Sequence, residues 1–425
     1  MNVPLTIVGV VYASLFLNFF LVASFDNLGP RLTESHGLDP EQLSIIISVK
    51  SFVNMAMGPA LALLSSHIPL LFMFTACSFS IALAYTGIAF SSSMAAFLVS
   101  RALHGIGTSG LMVGGMSVLM RCVSREQRGR YSSIAYSAAG HAALVAPILS
   151  GVMYDFLGQE WTFLIPAILT VAVTVVSFLV LRRALSIPVL HHTESQITTI
   201  NKSDMWPCVK LIFANPFSFI ALAGIFSQGF SFGTCESTLP QMLNDWDNSS
   251  LPVLTTSLIY SVGPLTFTLL APLVGFMIDR VGHYKVLLFA LCMYTVCFPF
   301  FHMLEVTLPG LGACIGIAFG ITVIAEVSVF PLIAEIVEAT KIANADAIGY
   351  ALNEMFVQGG YATGNVVGRQ LVDWGGLLGM GVFIASWNAV VVGISLVILL
   401  RMTRVRLLPP IGKYTKEQVV KDTLP

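Results

Sequence analysis

The chain has 425 residues, of which 56% are hydrophobic and 10% charged, and its mean hydropathy is +0.84. This composition is far from that of a soluble domain of the same size and predicts an all-α membrane protein with many bilayer crossings. The net charge of -1 gives no global field that would favour nucleic acid or another highly charged partner.

A helix needs about 20 apolar residues to cross the hydrocarbon core, and the sequence predicts twelve such segments. One long polar stretch, at about 185–210, divides them into six and six. The predicted domains are an N-terminal six-helix half (1–190), a cytosolic central loop (191–210), a C-terminal six-helix half (211–402) and a cytosolic tail (403–425). The predicted segments are 5–30, 43–64, 69–90, 94–120, 129–154, 161–184, 211–240, 252–278, 284–304, 308–334, 345–368 and 377–401.

Positive charges are distributed unequally between the two sides of these segments. Of the 21 Lys and Arg residues, Lys50 and Arg101 lie inside segments, Arg31 and Arg369 fall on one side, and the others fall on the opposite side. The positive-inside rule places the richer side, and with it both termini, in the cytosol. The sequon at Asn248 (NSS) then lies in a luminal loop and is a predicted glycosylation site.

Six ionisable residues lie inside predicted segments. A charge at the centre of a membrane helix costs about 3 kcal/mol on insertion scales, so a chain that keeps several of them uses them or pairs them. We therefore interpret the set as the functional charges of a carrier. Its members are Asp26, Lys50, Arg101, Glu236, Glu326 and Glu354.

Internal similarity indicates a duplication. The sequence GVMYDFLG at 151–158 resembles GRQLVDWG at 368–375, and two homologous halves around a midplane site recur in transporters. Chance similarity between glycine-rich membrane helices is the alternative. Glycines in the fourth segment, among them Gly105, Gly107 and Gly110, predict close approach of another helix.

The loop sequence GFMIDRVGHYKVL at 275–287 resembles the G-x-x-x-D-R-x-G loop of the major facilitator superfamily. The matching residues are Gly275, Asp279, Arg280 and Gly282. The resemblance implies a two-half, twelve-helix fold and a gating latch at this loop. A charged loop that merely follows the topology is the alternative, and the first-half counterpart, SSHIP at 65–69, lacks the motif.

Within that superfamily, the intramembrane residues resemble the vesicular amine transporter family over nearly all of the chain. The matching positions are Asp26 and Asn27 in the first segment, Lys50 and Asn54 in the second, RALHGIG from Arg101 in the fourth, CESTLP with Glu236 in the seventh, Glu326 in the tenth, and Glu354 with Tyr361 in the eleventh. The chain departs from the family where Glu326 and Glu354 replace Asp. Met112 stands where acetylcholine carriers have an extra Asp, which argues against choline esters.

The resemblance implies a proton-coupled antiporter that moves an organic cation, foremost a monoamine, into an acidic secretory or synaptic vesicle. A protonated amine needs counter-charges in a dry site, and aromatic faces add cation–π attraction of about 0.5–2 kcal/mol. Roles in packing are the alternative for the aromatics, and a structural ion pair is the alternative for Lys50 and Glu354. The implied residues are Asp26, Asn27, Glu236, Tyr260, Phe267 and Tyr361 for substrate binding, Glu326 and Glu354 for proton coupling, and Lys50, Arg101 and Asn54 for a charge network.

Rival functions remain open at this stage. Export of polyamines, acetylcholine or xenobiotic cations, including export across a plasma membrane, would use the same chemistry. A receptor or scaffold that kept the fold without transport is the rival of a different class. The sequence contains no phosphate loop, catalytic triad or metal cluster, so we expect a non-enzyme without cofactors. The expected partners are the cation, protons and the lipid bilayer, without nucleic acid, and the expected state is a monomer.

Overall fold

The structure is a computed structural model that describes residues 3–64, 68–115, 118–119, 128–185, 209–210, 212–246, 251–304, 307–338 and 345–405. The predicted glycosylation site at Asn248, nearly all of the central loop and the tail beyond 405 lie outside the described residues. Within these ranges all regular structure is helical, which confirms the all-α prediction.

The helices are labelled here in chain order. A π-helical turn at Leu111–Gly115 extends the fourth, and a 3-10 turn at Phe298–Phe300 with a short helix at Phe301–Leu304 follows the ninth. The labelled helices are α1 (Val3–Ser35), α2 (Pro40–Leu64), α3 (Leu70–Ala89), α4 (Met94–Gly110), α5 (Arg128–Leu185), α6 (Pro216–Asn244), α7 (Val253–Tyr260), α8 (Val262–Val281), α9 (His283–Cys297), α10 (Leu308–Glu338) and α11 (Ala345–Val405).

Nine helices among the described residues are long and apolar enough to cross a membrane. Two of these spans, Ser137–Arg183 in α5 and Ala351–Arg401 in α11, have 47 and 51 residues, which is more than twice the ~20 residues of one crossing. Each contains a glycine in a backbone conformation that other residues rarely adopt, Gly158 with φ 72 and Gly376 with φ 62. Gly158 is the last residue of GVMYDFLG, and Gly376 directly follows GRQLVDWG. The total of twelve crossings stays a prediction.

Large apolar side chains are exposed along the helices. Phe156, Trp374 and Leu269 are exposed by 83%, 81% and 64%. A soluble monomer rarely presents so much apolar surface. Together with the nine candidate spans, this surface identifies an integral multi-pass membrane protein.

Buried apolar residues form two large clusters. The first draws almost entirely on residues 7–181, and the second draws on residues 212–391. The clusters fall on either side of the polar stretch where the sequence predicts a boundary. We refer below to α1–α5 as the N-terminal helices and to α6–α11 as the C-terminal helices; the proposed domain limits remain predictions.

Glycines bring several helices into backbone contact. On α4, a Cβ atom at Gly107 or Gly110 would collide with Ile81 or Cys77 of α3, as the glycine pattern of the fourth segment predicted. The packing of α6 on α11 is closer still, because glycines on both helices face the other backbone. Gly233 lies against the backbone of Tyr361, and Gly364 lies against that of Phe230. This contact fixes α11 beside α6, while α11 also packs along α2 of the N-terminal helices.

Candidate functional site

Five of the six intramembrane ionisable residues converge in the structure, and Glu326 joins them through Glu354; we call the six the charge cluster. Asp26 and Arg101 are completely buried, and Lys50 and Glu236 are 5% and 8% exposed. Lys50 lies within electrostatic range of Arg101 and of three acids. Six helices supply the cluster: Asp26 on α1, Lys50 on α2, Arg101 on α4, Glu236 on α6, Glu326 on α10 and Glu354 on α11.

Asp26 and Arg101 form the buried ion pair of the cluster. One Oδ atom of Asp26 lies 3.6 Å from a guanidinium nitrogen of Arg101, which is longer than a charge-assisted hydrogen bond. The guanidinium carbon lies 4.5 Å from the ring centre of Phe25, so Arg101 also makes a cation–π contact. Both Oδ atoms of Asp26 lack a hydrogen-bond donor among the described residues. The carboxylate therefore keeps its accepting capacity for another group.

Glu236 is held by two phenols. Tyr260 donates to one carboxyl oxygen at 3.2 Å, and Tyr361 donates to the other. The glycine contact between α6 and α11 places Tyr361 at this depth. Two of the three aromatics that the resemblance implies thus contact the predicted acid directly.

The carboxyl groups of Asp26 and Glu236 meet across the interface between α1 and α6. The charges of the two carboxyl groups interact. Two buried carboxylates whose charges interact repel each other unless a proton or a cation lies between them. The arrangement is therefore suited to hold one positive charge between the N-terminal and the C-terminal helices.

Lys50 does not form the direct ion pair with Glu354 that the sequence suggested as one alternative. Both residues lie among the described ones and interact electrostatically, but they do not form a close ion pair. Asn54, one turn from Lys50, instead donates to Glu354 at 3.3 Å, and Gln358 donates to the same oxygen at 2.9 Å. The amide of Asn54 also accepts from Ser109 at 2.5 Å. The charge-network residues are thus neighbours, with Asn54 as the bridge from α2 to α11.

Glu326 and Phe267 lie apart from the carboxyl pair. Glu326 is half-buried on α10 and within electrostatic range of Glu354. Phe267 packs in a small separate cluster with Val274 and Val323. Its part in substrate binding stays a prediction.

Two other phenylalanines stand beside the tyrosines of Glu236. The rings of Phe232 and Phe319 are 4.8 Å apart and edge-on, and each ring lies 6.2 Å from a tyrosine, Phe232 from Tyr361 and Phe319 from Tyr260. Sequence reasoning missed both. Helical spacing was the available signal, because Phe232 precedes Glu236 by four residues and Phe319 precedes Glu326 by seven.

His104 is a further buried residue that the sequence reasoning did not single out. Its Nδ1 lies 3.3 Å from Arg101, and its Nε2 lies 3.2 Å from the amide oxygen of Asn18. A guanidinium group only donates, so Nδ1 must accept and Nε2 must carry the hydrogen. His104 thereby links Arg101 to α1. The signal in the sequence was the polar His within RALHGIG, three residues after Arg101 and therefore on the same side of the helix.

We expect His104→Leu to lower the free energy of unfolding by about 1–3 kcal/mol, because Arg101 and Asn18 would each lose a buried partner. His104→Gln keeps one acceptor and one donor and should lose less. Thermal unfolding of the purified protein in detergent measures both variants. A His104→Leu protein as stable as the unsubstituted one would contradict this role.

Hydrogen bonds join the N-terminal and C-terminal helices at the end of the bundle that contains residues 31–36. We call them the loop-end latch. They connect Arg31 to the carbonyl of Leu251, Asn244 to Glu34, and the backbone of Leu254 to Asp155. One turn deeper, Asn27 donates to Ser257 at 2.7 Å. The predicted substrate residue Asn27 therefore belongs, in this conformation, to the contact between the two sets of helices.

The predicted gating loop lies where α8 meets α9. Gly282, with φ 96, forms the turn and fits the positive dihedral that glycine tolerates. The Arg280 guanidinium carbon lies 4.1 Å from the ring centre of Phe276, and Gly275 faces open space. The side chain of Asp279 and residues 65–67 of the first-half counterpart lie outside the described residues.

Comparison with known proteins shows which family the chain matches. A family model of the Major Facilitator Superfamily matches residues 11–345. The synaptic vesicular amine transporter of Rattus norvegicus is 26% identical over 339 residues, which cover 77% of this chain and 60% of that protein. The chromaffin granule amine transporter of Rattus norvegicus is 26% identical over 346 residues, covering 80% of this chain and 61% of that protein. The chain thus spans about 60% of the length of these relatives.

Among solved structures, the nucleoside transporter NupG aligns with a TM-score of 0.70 at 16% identity, covering 94% of this chain and 99% of that chain. At this identity the likeness shows the fold alone. The predicted resemblance to the vesicular amine transporters is confirmed by the matched relatives. The chain therefore belongs to the Major Facilitator Superfamily.

Proposed function

We propose that the protein is a proton-coupled antiporter that carries an organic cation, foremost a monoamine, from the cytosol into an acidic vesicle lumen. The buried carboxyl pair of Asp26 and Glu236 is the observation that carries the proposal. It supplies negative charge from both sets of helices to one point, and Tyr260 and Tyr361 surround that point. Similarity to proteins named as amine transporters supports the same substrate class.

In the proposed cycle the two six-helix halves, about 1–190 and 211–402, rock around the charge cluster. The ammonium group binds between Asp26 and Glu236, and Lys50 and Arg101 balance the remaining acids when the site is empty. Glu326, with Glu354 beside it, takes up the proton from the lumen and releases it to the cytosol. The loop-end latch would close the luminal side in this conformation and break when that side opens.

The decisive experiment is uptake into proteoliposomes with an acidic interior. Purified protein should accumulate labelled tyramine, and an ionophore that dissipates the pH gradient should abolish the accumulation. Unlabelled monoamines, acetylcholine and spermidine, tested as competitors, separate the substrate classes. Uptake that ignores the gradient would refute the proposed coupling, and failure of every cation to compete would refute the proposed substrate class.

The proposed orientation gives a separate prediction. Because most Lys and Arg residues fall on the side of the termini, epitope tags at both ends should be accessible only from the cytosol. Asn248 should be glycosylated in a eukaryotic host, and Asn248→Gln should remove the resulting shift in gel mobility. A terminal tag protected from cytosolic protease in intact vesicles would show that the orientation is wrong.

A further inference from the structure

One face of α11 carries a line of four polar side chains. The residues are Glu354, Gln358, Tyr361 and Asn365, and the spacings of four, three and four residues place them on the same side of the helix. The first three point into the site, because Glu354 accepts from Asn54 and Gln358 and Tyr361 donates to Glu236. Asn365 continues this line one turn, or about 6 Å, beyond Tyr361.

Asn365 is completely buried, and both its Nδ2 and its Oδ1 lack a hydrogen-bond partner among the described residues. Among the side chains that the structure describes, it is the one buried amide for which both atoms are unpaired. Asn388, equally buried, is paired through one atom: its Nδ2 donates to Ser231 at 3.0 Å and to the carbonyl of Ile384 at 2.8 Å, while its Oδ1 has no partner among the described residues. Buried polar groups are normally paired, and an exception calls for a ligand, a water molecule or another functional cause.

We propose that Asn365 binds a hydroxyl group of the transported cation, about one helical turn from the carboxyl pair that holds the ammonium group. The inference rests on the proposed function and names the substrate class more closely. A hydroxyl offers one donor and one acceptor, which complement Oδ1 and Nδ2 of the amide. A second ammonium would satisfy only Oδ1, and an alkyl or unsubstituted aryl group would satisfy neither atom. The site therefore favours hydroxylated amines over amines of the same shape without a hydroxyl.

The distance between the two anchor points is fixed by the fold. Tyr361 and Asn365 lie on one helix, and Gly360, Gly364 and Gly368 hold that helix against the backbone of α6. Sites on rigid helices hold their geometry better than sites on loops. The pair of anchors can thus select for the separation between the nitrogen and the hydroxyl of the substrate, as well as for the presence of the hydroxyl.

The test uses labelled tyramine uptake into the same proteoliposomes, with unlabelled competitors that differ by one hydroxyl group. These are 2-phenylethylamine and its 3-hydroxy and 4-hydroxy derivatives. The better hydroxylated competitor should have an inhibition constant about tenfold below that of 2-phenylethylamine, as expected for two ordinary hydrogen bonds. In Asn365→Leu this ratio should fall to about one, because the side chain keeps its branched shape but loses both polar atoms.

Asn388→Leu is the matched control. It removes an equally buried amide whose Nδ2 already donates two hydrogen bonds, so its melting temperature should fall while the tenfold ratio persists. Asn365→Leu breaks no bond seen in the structure, so its melting temperature should not fall in this way. A drop in melting temperature with the ratio retained would identify Asn365 as structural and overturn the proposal.

Two further outcomes separate a failure of this inference from a failure of the proposed function. Equal inhibition by the hydroxylated and unhydroxylated amines in the unsubstituted protein would overturn this inference alone, whether or not any variant folds. Failure of all these amines to be taken up or to compete would overturn the proposed function and this inference with it. If Asn365→Leu does not fold, Asn365→Ala serves as the second variant, with the same expected loss of the ratio.

Discussion

Asp26→Asn and Glu236→Gln should each reduce gradient-driven amine uptake by roughly 30-fold or more. Removing one charged partner from a buried, hydrogen-bonded charge pair costs about 2–5 kcal/mol, and each 1.4 kcal/mol is a factor of about ten. Both variants keep the size of the side chain, so the loss would come from charge. Initial uptake rates and equilibrium binding of labelled tyramine, normalised to the amount of protein, measure the effect.

The two variants should differ in stability. Glu236 accepts from Tyr260 and Tyr361, and a glutamine can still accept from one of them through its carbonyl oxygen. Asp26, in contrast, is the ion-pair partner of the completely buried Arg101. Its neutralisation leaves a buried guanidinium charge without its partner, which is strongly destabilising. We therefore expect a larger drop in melting temperature for Asp26→Asn.

A matched control separates the site from charge loss in general. Asp373 on α11 forms an ion pair with Arg369 at 2.8 Å, and the two side chains are 42% and 23% exposed. Such exposed pairs contribute little to stability, and the pair lies outside the charge cluster. Asp373→Asn should transport like the unsubstituted protein. Near-normal uptake by Asp26→Asn or Glu236→Gln would remove that residue from the proposed site.

Apolar length and the depth of charges were readable from the sequence because both are properties of single helices. The candidate spans coincide with predicted segments, and five of the six charged residues lie on helices that qualify as spans by themselves. Arg101 lies on α4, which has 17 residues before the π-helical turn. The resemblance to the amine transporters added the order and spacing of the matching residues along the whole chain, which a single helix does not contain. It brought Asp26, Glu236 and Tyr361 into one expected site, and the structure places them together.

Pairing between helices was harder to predict, because periodicity identifies the face of a helix but not its neighbour. The opposite charges of Lys50 and Glu354 suggested an ion pair. The structure gives the contact to Asn54, whose position one turn along α2 brings its amide to Glu354. Tyr260 and Phe267 fall in one predicted segment, but in the structure they lie on different helices, because α7 ends before Ser261 and α8 begins after it. That break lies between the two residues; Gly263 and Pro264 mark it in the sequence, but the predicted segment 252–278 runs across it.

Buried polar groups without a hydrogen-bond partner also cannot be recognised from the sequence. Asn365 and Asn388 are indistinguishable as buried asparagines in apolar segments, and their hydrogen-bond partners alone separate them. Asp26 is similar, since a carboxylate with free acceptors differs from a saturated one only in three dimensions. The unpaired atoms, rather than the charged residues as such, give the most specific indication of where a ligand binds.

Glu326→Gln should abolish accumulation of the amine above its external concentration while binding stays within about threefold of normal. Glu326 is the acid of the cluster that stands apart from the carboxyl pair: its electrostatic neighbour is Glu354, and Asp26 and Glu236 remain in place to hold the ammonium group. Effects of residues that share no partner are usually independent. A glutamine keeps the shape of the side chain but can no longer take up and release a proton. The variant would therefore bind amine and exchange it across the membrane without using the gradient.

The comparison that decides this assignment pairs Glu326→Gln with Glu326→Asp. The aspartate keeps a titratable carboxyl, shortened by one methylene, and should retain gradient-driven accumulation in proteoliposomes, while both variants bind labelled tyramine in detergent. Counterflow, the exchange of labelled for unlabelled amine without a pH gradient, should persist in Glu326→Gln, because it needs the carboxyl pair and the rocking motion but no net proton transfer. Full accumulation by Glu326→Gln would move the coupling role to Glu354 or to the Asp26 and Glu236 pair itself. In that case the proton and the amine would compete for one site, because the charges of the two carboxyls interact and a single positive charge would relieve their repulsion.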